Sequence, residues 1–287
     1  NNNFMLDGAD NNDTSVPGGQ QGISAANPDS TQEFRVITNN FDAEFGRNTG
    51  AIIDVVTRGG SNAFHGSVYE FGRYNALGAR DFFNKKENGP QDPYVRNDFG
   101  ASIGGPIWKD RTFFFLNGEA QRFRTTRTAT QTTPTAAFRT GKFTYTDPVG
   151  GSQTPVDLTA NPATNPDNLS GLPQNPLITK ILNLAPVGQA DNGDGVSTTY
   201  FFPSPDNLNA YNFTGRFDQK LTSKHQLTVR YIYGHAAESN PFHDEVLPGY
   251  GNLSYITTAH NGVVSIASSL SAHATNLIRG GYNQSNS

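Results

Sequence analysis

Few residues in this chain are arranged to do chemistry. Two of its six histidines fall in an acid-rich stretch, His235, Glu238, His243, Asp244 and Glu245, and imidazole with carboxylate is the donor set of a transition-metal site. The stretch has no H-E-x-x-H spacing, and it reads as a polar connection. Asp191-Asn192-Gly193-Asp194-Gly195 has the composition of a calcium loop. Aligning Gly195 with the required glycine puts Ala190 at the first ligand position and Phe201 at the last, where carboxylates are needed. There is no G-x-S-x-G and no phosphate-binding glycine loop, and with no cysteine in the chain there is no thiol chemistry. We therefore assign no catalytic residue, no metal site and no cofactor, and read the protein as a non-enzyme. The charges that remain conspicuous are Glu70, Glu119, Arg216, Asp218, Lys220 and Arg230, all within segments of alternating residues.

Those segments are the elements that must position them. In residues 211–221, Tyr211, Phe213, Gly215, Phe217 and Leu221 share one face, with Gln219 the one polar exception, while Asn212, Thr214, Arg216, Asp218 and Lys220 share the other. In residues 225–233, Leu227, Val229, Tyr231 and Tyr233 alternate with Gln226, Thr228 and Arg230. A period of two predicts half-apolar strands. Seven such segments lie near 63–75, 96–108, 111–123, 210–221, 225–237, 256–270 and 273–286. Their connections alternate between long (76–95, 124–209, 238–255) and short (109–110, 222–224, 271–272). This sorting predicts short turns at one end of an antiparallel sheet and large loops at the other, the pattern of an outer-membrane barrel. A 12-residue strand rises about 40 Å and, tilted by roughly 40°, stands about 30 Å tall, enough to cover an apolar band of about 25 Å. Trp108 falls where an interfacial aromatic would sit, with Tyr74, Tyr231 and Tyr233 toward the opposite rim. Pro106 removes a ladder donor from the second strand. The run Phe113 to Leu116 puts apolar groups on both faces of the third, so one of those faces should pack against protein.

Composition agrees. Only 34% of residues are hydrophobic and 16% charged, against roughly 45–50% and about 25% in ordinary soluble domains. Twenty Phe and 11 Tyr are too many for a disordered tail. A net charge of -4 without a basic cluster excludes a nucleic-acid partner. No apolar run approaches the roughly 20 residues of a membrane helix. Residues 1–60 have a different grammar, dense in turn formers, with short strands expected at 34–37 and 51–57, and read as part of a loop-rich α+β unit. Within 124–209, Leu177, Ile178, Ile181, Leu182 and Leu184 have helical spacing. The chain opens on Asn1-Asn2-Asn3 and reads as a piece of something longer.

At these residues the chain resembles TonB-dependent outer-membrane receptors, in particular the Oar-like branch. The resemblance is carried by Leu6-Asp7-Gly8, Gln32 to Val36, Ala43 to Gly50 and Ile52 to Gly60, then by Asn62 to Phe71, Asn97 to Gly100, Gly104 to Ile107, Arg111 to Phe115 and Thr214 to Asp218. It implies a mainly β chain. Residues 1–60 would be the C-terminal part of an α+β plug domain, and 61–287 the first seven or so strands of an antiparallel transmembrane β-barrel in the cell outer membrane, with a long extracellular loop at 124–209. It also implies transport of an unidentified solute, a TonB complex engaged through a segment outside this sequence, and outer-membrane lipid around the barrel. Within that frame Arg216, Asp218, Lys220 and Arg230 are expected to line the lumen, with Glu70 and Glu119 also turned inward. Arg47 and Arg58, flanking the last plug strand, are expected to pair with Glu70 and Glu119 as a plug-to-barrel latch. A β-rich surface adhesin or carbohydrate-binding module is the alternative reading.

Overall fold

The computed structural model describes residues 2–12, 26–39, 50–79, 82, 93–147, 150–159, 175–239 and 254–286. Two compact units are distinguished, residues 1–125 with 207–239 and 254–287, and residues 126–206 with 240–253.

The first unit contains two sheets. The smaller is built from β1 (Asn3–Leu6), β2 (Ala9–Asp10), β3 (Thr31–Ile37) and β4 (Ile52–Thr57) in the order β2-β1-β4-β3. β1 runs parallel to β4 and antiparallel to β2. Asp7 (φ 51°) and Gly8 (φ 69°) both take left-handed backbone in the two-residue turn between β1 and β2. That is the Asp-Gly chemistry a tight hairpin favours, because its twist matches the flanking strands. Leu6 and Ile52, each no more than 1% exposed, seal this sheet. Among the described residues of 1–60 the only helical element is the 3-10 turn Pro28–Ser30, so the described part of this segment is β rather than α+β.

The larger sheet is antiparallel and takes its strands in chain order: β5 (His65–Tyr74), β6 (Tyr94–Trp108), β7 (Thr112–Pro134), β11 (Ser197–Lys220), β12 (His225–Ser239), β13 (Ser254–Ser271) and β14 (Ala274–Asn286). These are the seven segments expected from alternation. β7 and β11 run to 23 and 24 residues, so strand extends into both ends of the expected loop at 124–209. The tight turns fall after Trp108, Lys220 and Ser271, all at one end. At the first of them Asp110 adopts φ 60° and the Arg111 guanidinium lies 5.4 Å from the Trp108 ring centre. The ladder between β6 and β7 slips between Pro106 and Trp108, where the proline has no N–H to give.

The second unit holds the outer parts of β7 and β11, the hairpin β8 (Lys142–Thr146) and β9 (Gln153–Asp157), the short β10 (Ala190–Asp191) paired with β11, and the helix Pro176–Leu182 that the Leu/Ile spacing predicts. Asn175 caps this helix by accepting from the Leu177 N–H at 2.9 Å. No helix among the described residues is long and apolar enough to cross a membrane.

Register separates the two faces of the large sheet. Ile103, Leu116, Phe213, Val264, Ile278 and Tyr282 are all more than 40% exposed and lie on the face turned away from the small sheet. The face that carries the small sheet presents Ser102, Asn117, Thr214, Asp218, Arg230 and Asn261, all buried. This polarity is the reverse of a soluble sheet, whose apolar face is the covered one. A contiguous bare apolar face of this extent marks contact with lipid or another apolar surface. Phe115, Ile232 and Val263, 1%, 0% and 3% exposed, are buried apolar residues on the covered face.

Candidate functional site

The polar face closes over the Asp7 turn in a cluster of two carboxylates and two guanidinium groups, with formal charges that sum to zero. Arg216 and Arg230 are direct partners across the β11–β12 ladder, so their side chains leave the same face side by side. The Arg230 side chain is 0% exposed. Its Nε donates to Asp7 Oδ2 at 2.9 Å, its Nη2 to the Leu6 carbonyl at 3.2 Å, and its Nη1 to the Asn261 carbonyl at 3.2 Å and to Asn261 Oδ1. Arg216 donates Nε and Nη2 to the two oxygens of Asp218, at 2.9 and 3.2 Å, and Nη1 to the Thr57 carbonyl at 2.7 Å. It also lies 3.7 Å from Asp7 Oδ1. Asp218 Oδ1 accepts in addition from Thr228 Oγ1 at 2.7 Å. Asp7 Oδ1 accepts the Thr57 N–H at 2.8 Å, and its Oδ2 accepts from Thr57 Oγ1 at 2.9 Å. A desolvated charge is tolerated when it is paired and its remaining donors and acceptors are satisfied, and each of these groups meets that condition.

Amide contacts extend the join on either side. Asn261 Nδ2 donates to Asn11 and to Asn283, Arg279 Nη1 to the Gly8 carbonyl at 2.7 Å, and Asn27 Nδ2 to Asn117 Oδ1 at 2.7 Å. Gly60 leads from the small sheet into the large one. A methyl group there would sit 2.4 Å from the Phe114 carbonyl oxygen and 2.8 Å from that of Gly105.

The residues expected from sequence fall as follows. Arg216, Asp218 and Arg230 share the covered polar face and meet in the cluster. Lys220, at the end of β11, is exposed, and its backbone N–H pairs with the Arg111 carbonyl. Glu119 is on the covered face and accepts from Tyr69 Oη at 2.6 Å. Glu70 pairs in register with Phe99 and stands with Val68 on the opposite, apolar face, which corrects the inward placement. The alternation around it is masked by glycines at 66 and 72 and by aromatics of both parities. Arg58 donates its Nε to the Thr31 carbonyl at 3.1 Å. Arg47, His243, Asp244 and Glu245 lie outside the described residues. Asp7 lies in the Leu6-Asp7-Gly8 motif, but nothing local in the sequence announces a partner 223 positions away. Among the described residues no group of three or more His, Asp or Glu could hold a metal ion.

A mainly β chain whose large antiparallel sheet is apolar outside and polar where it is covered defines the outer-membrane β-barrel class. The chain belongs to that family: residues 56–287 match the Outer membrane beta barrel domain, and its place is the outer membrane. More narrowly, a stretch of 135 residues is 36% identical to a protein described as TonB-dependent transporter Oar from Myxococcus xanthus, covering 44% of this chain and 12% of that protein. The chain thus matches only a small part of the length of that relative.

Proposed function

We propose that residues 1–60 are the C-terminal part of a plug, that 61–287 supply the first strands of the barrel around it, and that the whole protein imports a solute with energy relayed by a TonB complex. The observation that carries this reading is the Asp7 cluster: a separate small sheet is held by ion pairs and amide hydrogen bonds to the polar face of a sheet whose other face is apolar. Such a join is specific and firm at rest, and its ion pairs and amide hydrogen bonds can be undone one at a time by a pulled segment. On this reading Arg216, Asp218 and Arg230 line the lumen, and the latch is centred on Asp7. The similarity to an Oar transporter supports the transport class and the non-enzymatic reading.

The test is conductance of the full-length protein in planar bilayers, with potassium chloride as the probe ion. The intact protein is expected to be closed, and the same protein lacking residues 1–60 to give a large steady conductance. Equal conductance with and without 1–60 would overturn the plug. Release of the protein from membranes by urea would favour the surface-adhesin alternative and overturn the barrel transporter.

A further inference from the structure

The outward face carries a row of polar side chains that neither the charge cluster nor the apolar band explains. It crosses five strands at the end away from the tight turns. Tyr74 Oη donates to Asn97 Oδ1 at 2.8 Å, and Asn97 is the register partner of Arg122. The Arg122 guanidinium lies 4.4 Å from the centre of the Tyr211 ring and also donates to its hydroxyl. The Tyr211 ring is 6.2 Å from that of His235. One step further out, Arg124 donates to the Leu208 carbonyl at 3.2 Å and to Asn209 Oδ1 at 2.7 Å.

Every acceptor of Arg122 and Arg124 here is neutral, so among the described residues both positive charges are uncompensated. Their height is also informative. Arg122 is ten positions beyond Thr112, the first residue of β7, or about 33 Å along the strand. At a tilt of roughly 40° that is about 25 Å of height, the thickness of the apolar band of an outer-membrane barrel. The row therefore meets the layer of lipid headgroups, where an outward-facing arginine costs little. Directly beneath it the sheet is recessed. Ala101, Gly118 and Ala120 form a floor between Phe99 and Phe213, in a shallow hollow of about 980 Å³ that is open to the outside. A Cβ built on Gly118 meets nothing within 4 Å. Two carboxylate residues line the hollow, Glu70 and Glu119; Glu70, on β5, is two residues nearer the tight turns in register than Arg122, and Glu119 turns to the covered face to accept from Tyr69.

We propose that Arg122 and Arg124, backed by Tyr211, bind the phosphate of a phosphorylated outer-leaflet lipid whose acyl chain lies in the hollow. Guanidinium with phosphate forms strong charge-assisted pairs, and the open hollow gives the chain a small-residue floor between aromatic side chains. The inference rests on the barrel reading and on its orientation, with the long connections outermost.

The test is native mass spectrometry of the full-length protein with bisphosphorylated lipid A and with the same lipid after removal of its phosphates. Arg122→Gln/Arg124→Gln should weaken binding of the phosphorylated lipid by at least about tenfold and leave the dephosphorylated lipid unchanged. Arg96→Gln, on the covered face, should leave both unchanged. Arg124→Gln alone, at an exposed position, should weaken binding in the same direction should the double variant fold poorly. Equal binding by wild type and either variant would sink the proposal, as would indifference to the phosphates or displacement by excess inorganic phosphate. A protein that shows the closed and opened conductances but no phosphate preference removes this inference alone, whereas urea extraction removes the reading beneath it.

Discussion

At the scale of single residues the decisive group is Asp7. Its carboxylate faces two guanidinium groups, one of them with no exposed side-chain surface, and it is fixed by Thr57 from the neighbouring strand. Removing one member of a buried, hydrogen-bonded pair leaves an uncompensated charge, at a cost of about 3–5 kcal/mol. Asp7→Ala is therefore expected to loosen β1 and β2 from the large sheet, seen as faster amide exchange at Leu6, Gly8 and Asn11. Asp7→Leu combined with Arg230→Met removes both charges and should recover most of the loss. Equal exchange in Asp7→Ala and wild type would show that the pair holds nothing. Sequence alternation is enough to put Arg216, Asp218 and Arg230 on one face, because a period of two fixes parity without knowledge of partners. It is silent on Asp7, 223 positions from Arg230, because the joining of a short hairpin to a distant strand leaves no periodic trace. Glu70 is misplaced by the same rule where flanking glycines and aromatics make both parities equally apolar.

At the scale of elements, strand positions are legible and strand ends are not. The seven segments coincide with seven strands because lipid on one side and polar contact on the other enforce alternation. Beyond the band that constraint lapses, so β7 and β11 continue through Thr/Arg-rich and Pro-rich sequence that carries no strand signal. The acidic Asp191–Gly195 run, rejected as a calcium loop, has an ordinary structural role. Gly193 and Gly195 take φ of 75° and 74°, and Asp194 accepts from Ser197 Oγ at 2.5 Å and from the N–H groups of Val196 and Ser197 at 2.9 and 2.7 Å. These hydrogen bonds, those of Ser197 foremost, hold the Asp194 carboxyl below its usual range. A depressed acid stabilises the folded turn fully above its unfolded value, about 3.9, and loses that contribution as pH falls through the folded one. Amide exchange at Val196 and Ser197, corrected for intrinsic rates, should stay slow from neutral pH down through pH 4 and accelerate only at lower pH. Asp194→Asn should abolish this acid step, and an unchanged acid profile in that variant would assign the turn's stability elsewhere.

At the scale of the whole molecule, the sorting of long and short connections and the length of the alternating segments point to a membrane barrel before any contact is known. What they leave out is how the small sheet is retained, because that depends on side chains meeting across a fold rather than along a strand. The physical claim on which the barrel reading rests is that adjacent residues on one strand see different solvents. Val264 and Ser265 on β13 test it directly. Val264 pairs with Val229 and Gly280 on the apolar face, and Ser265 pairs with Thr228 and Arg279 on the covered one. A lysine near mid-bilayer on a lipid-facing position costs about 2–4 kcal/mol, whereas substitutions on the other face act through local electrostatics. In folding titrations of the full-length protein into phospholipid vesicles, Val264→Lys should therefore lose about 2–4 kcal/mol. Ser265→Lys, placed beside Arg279, should lose only the smaller cost of a like-charge neighbour, under about 1 kcal/mol. The opposite order would mean that the apolar face is the covered one and that the sheet belongs to a water-soluble sandwich.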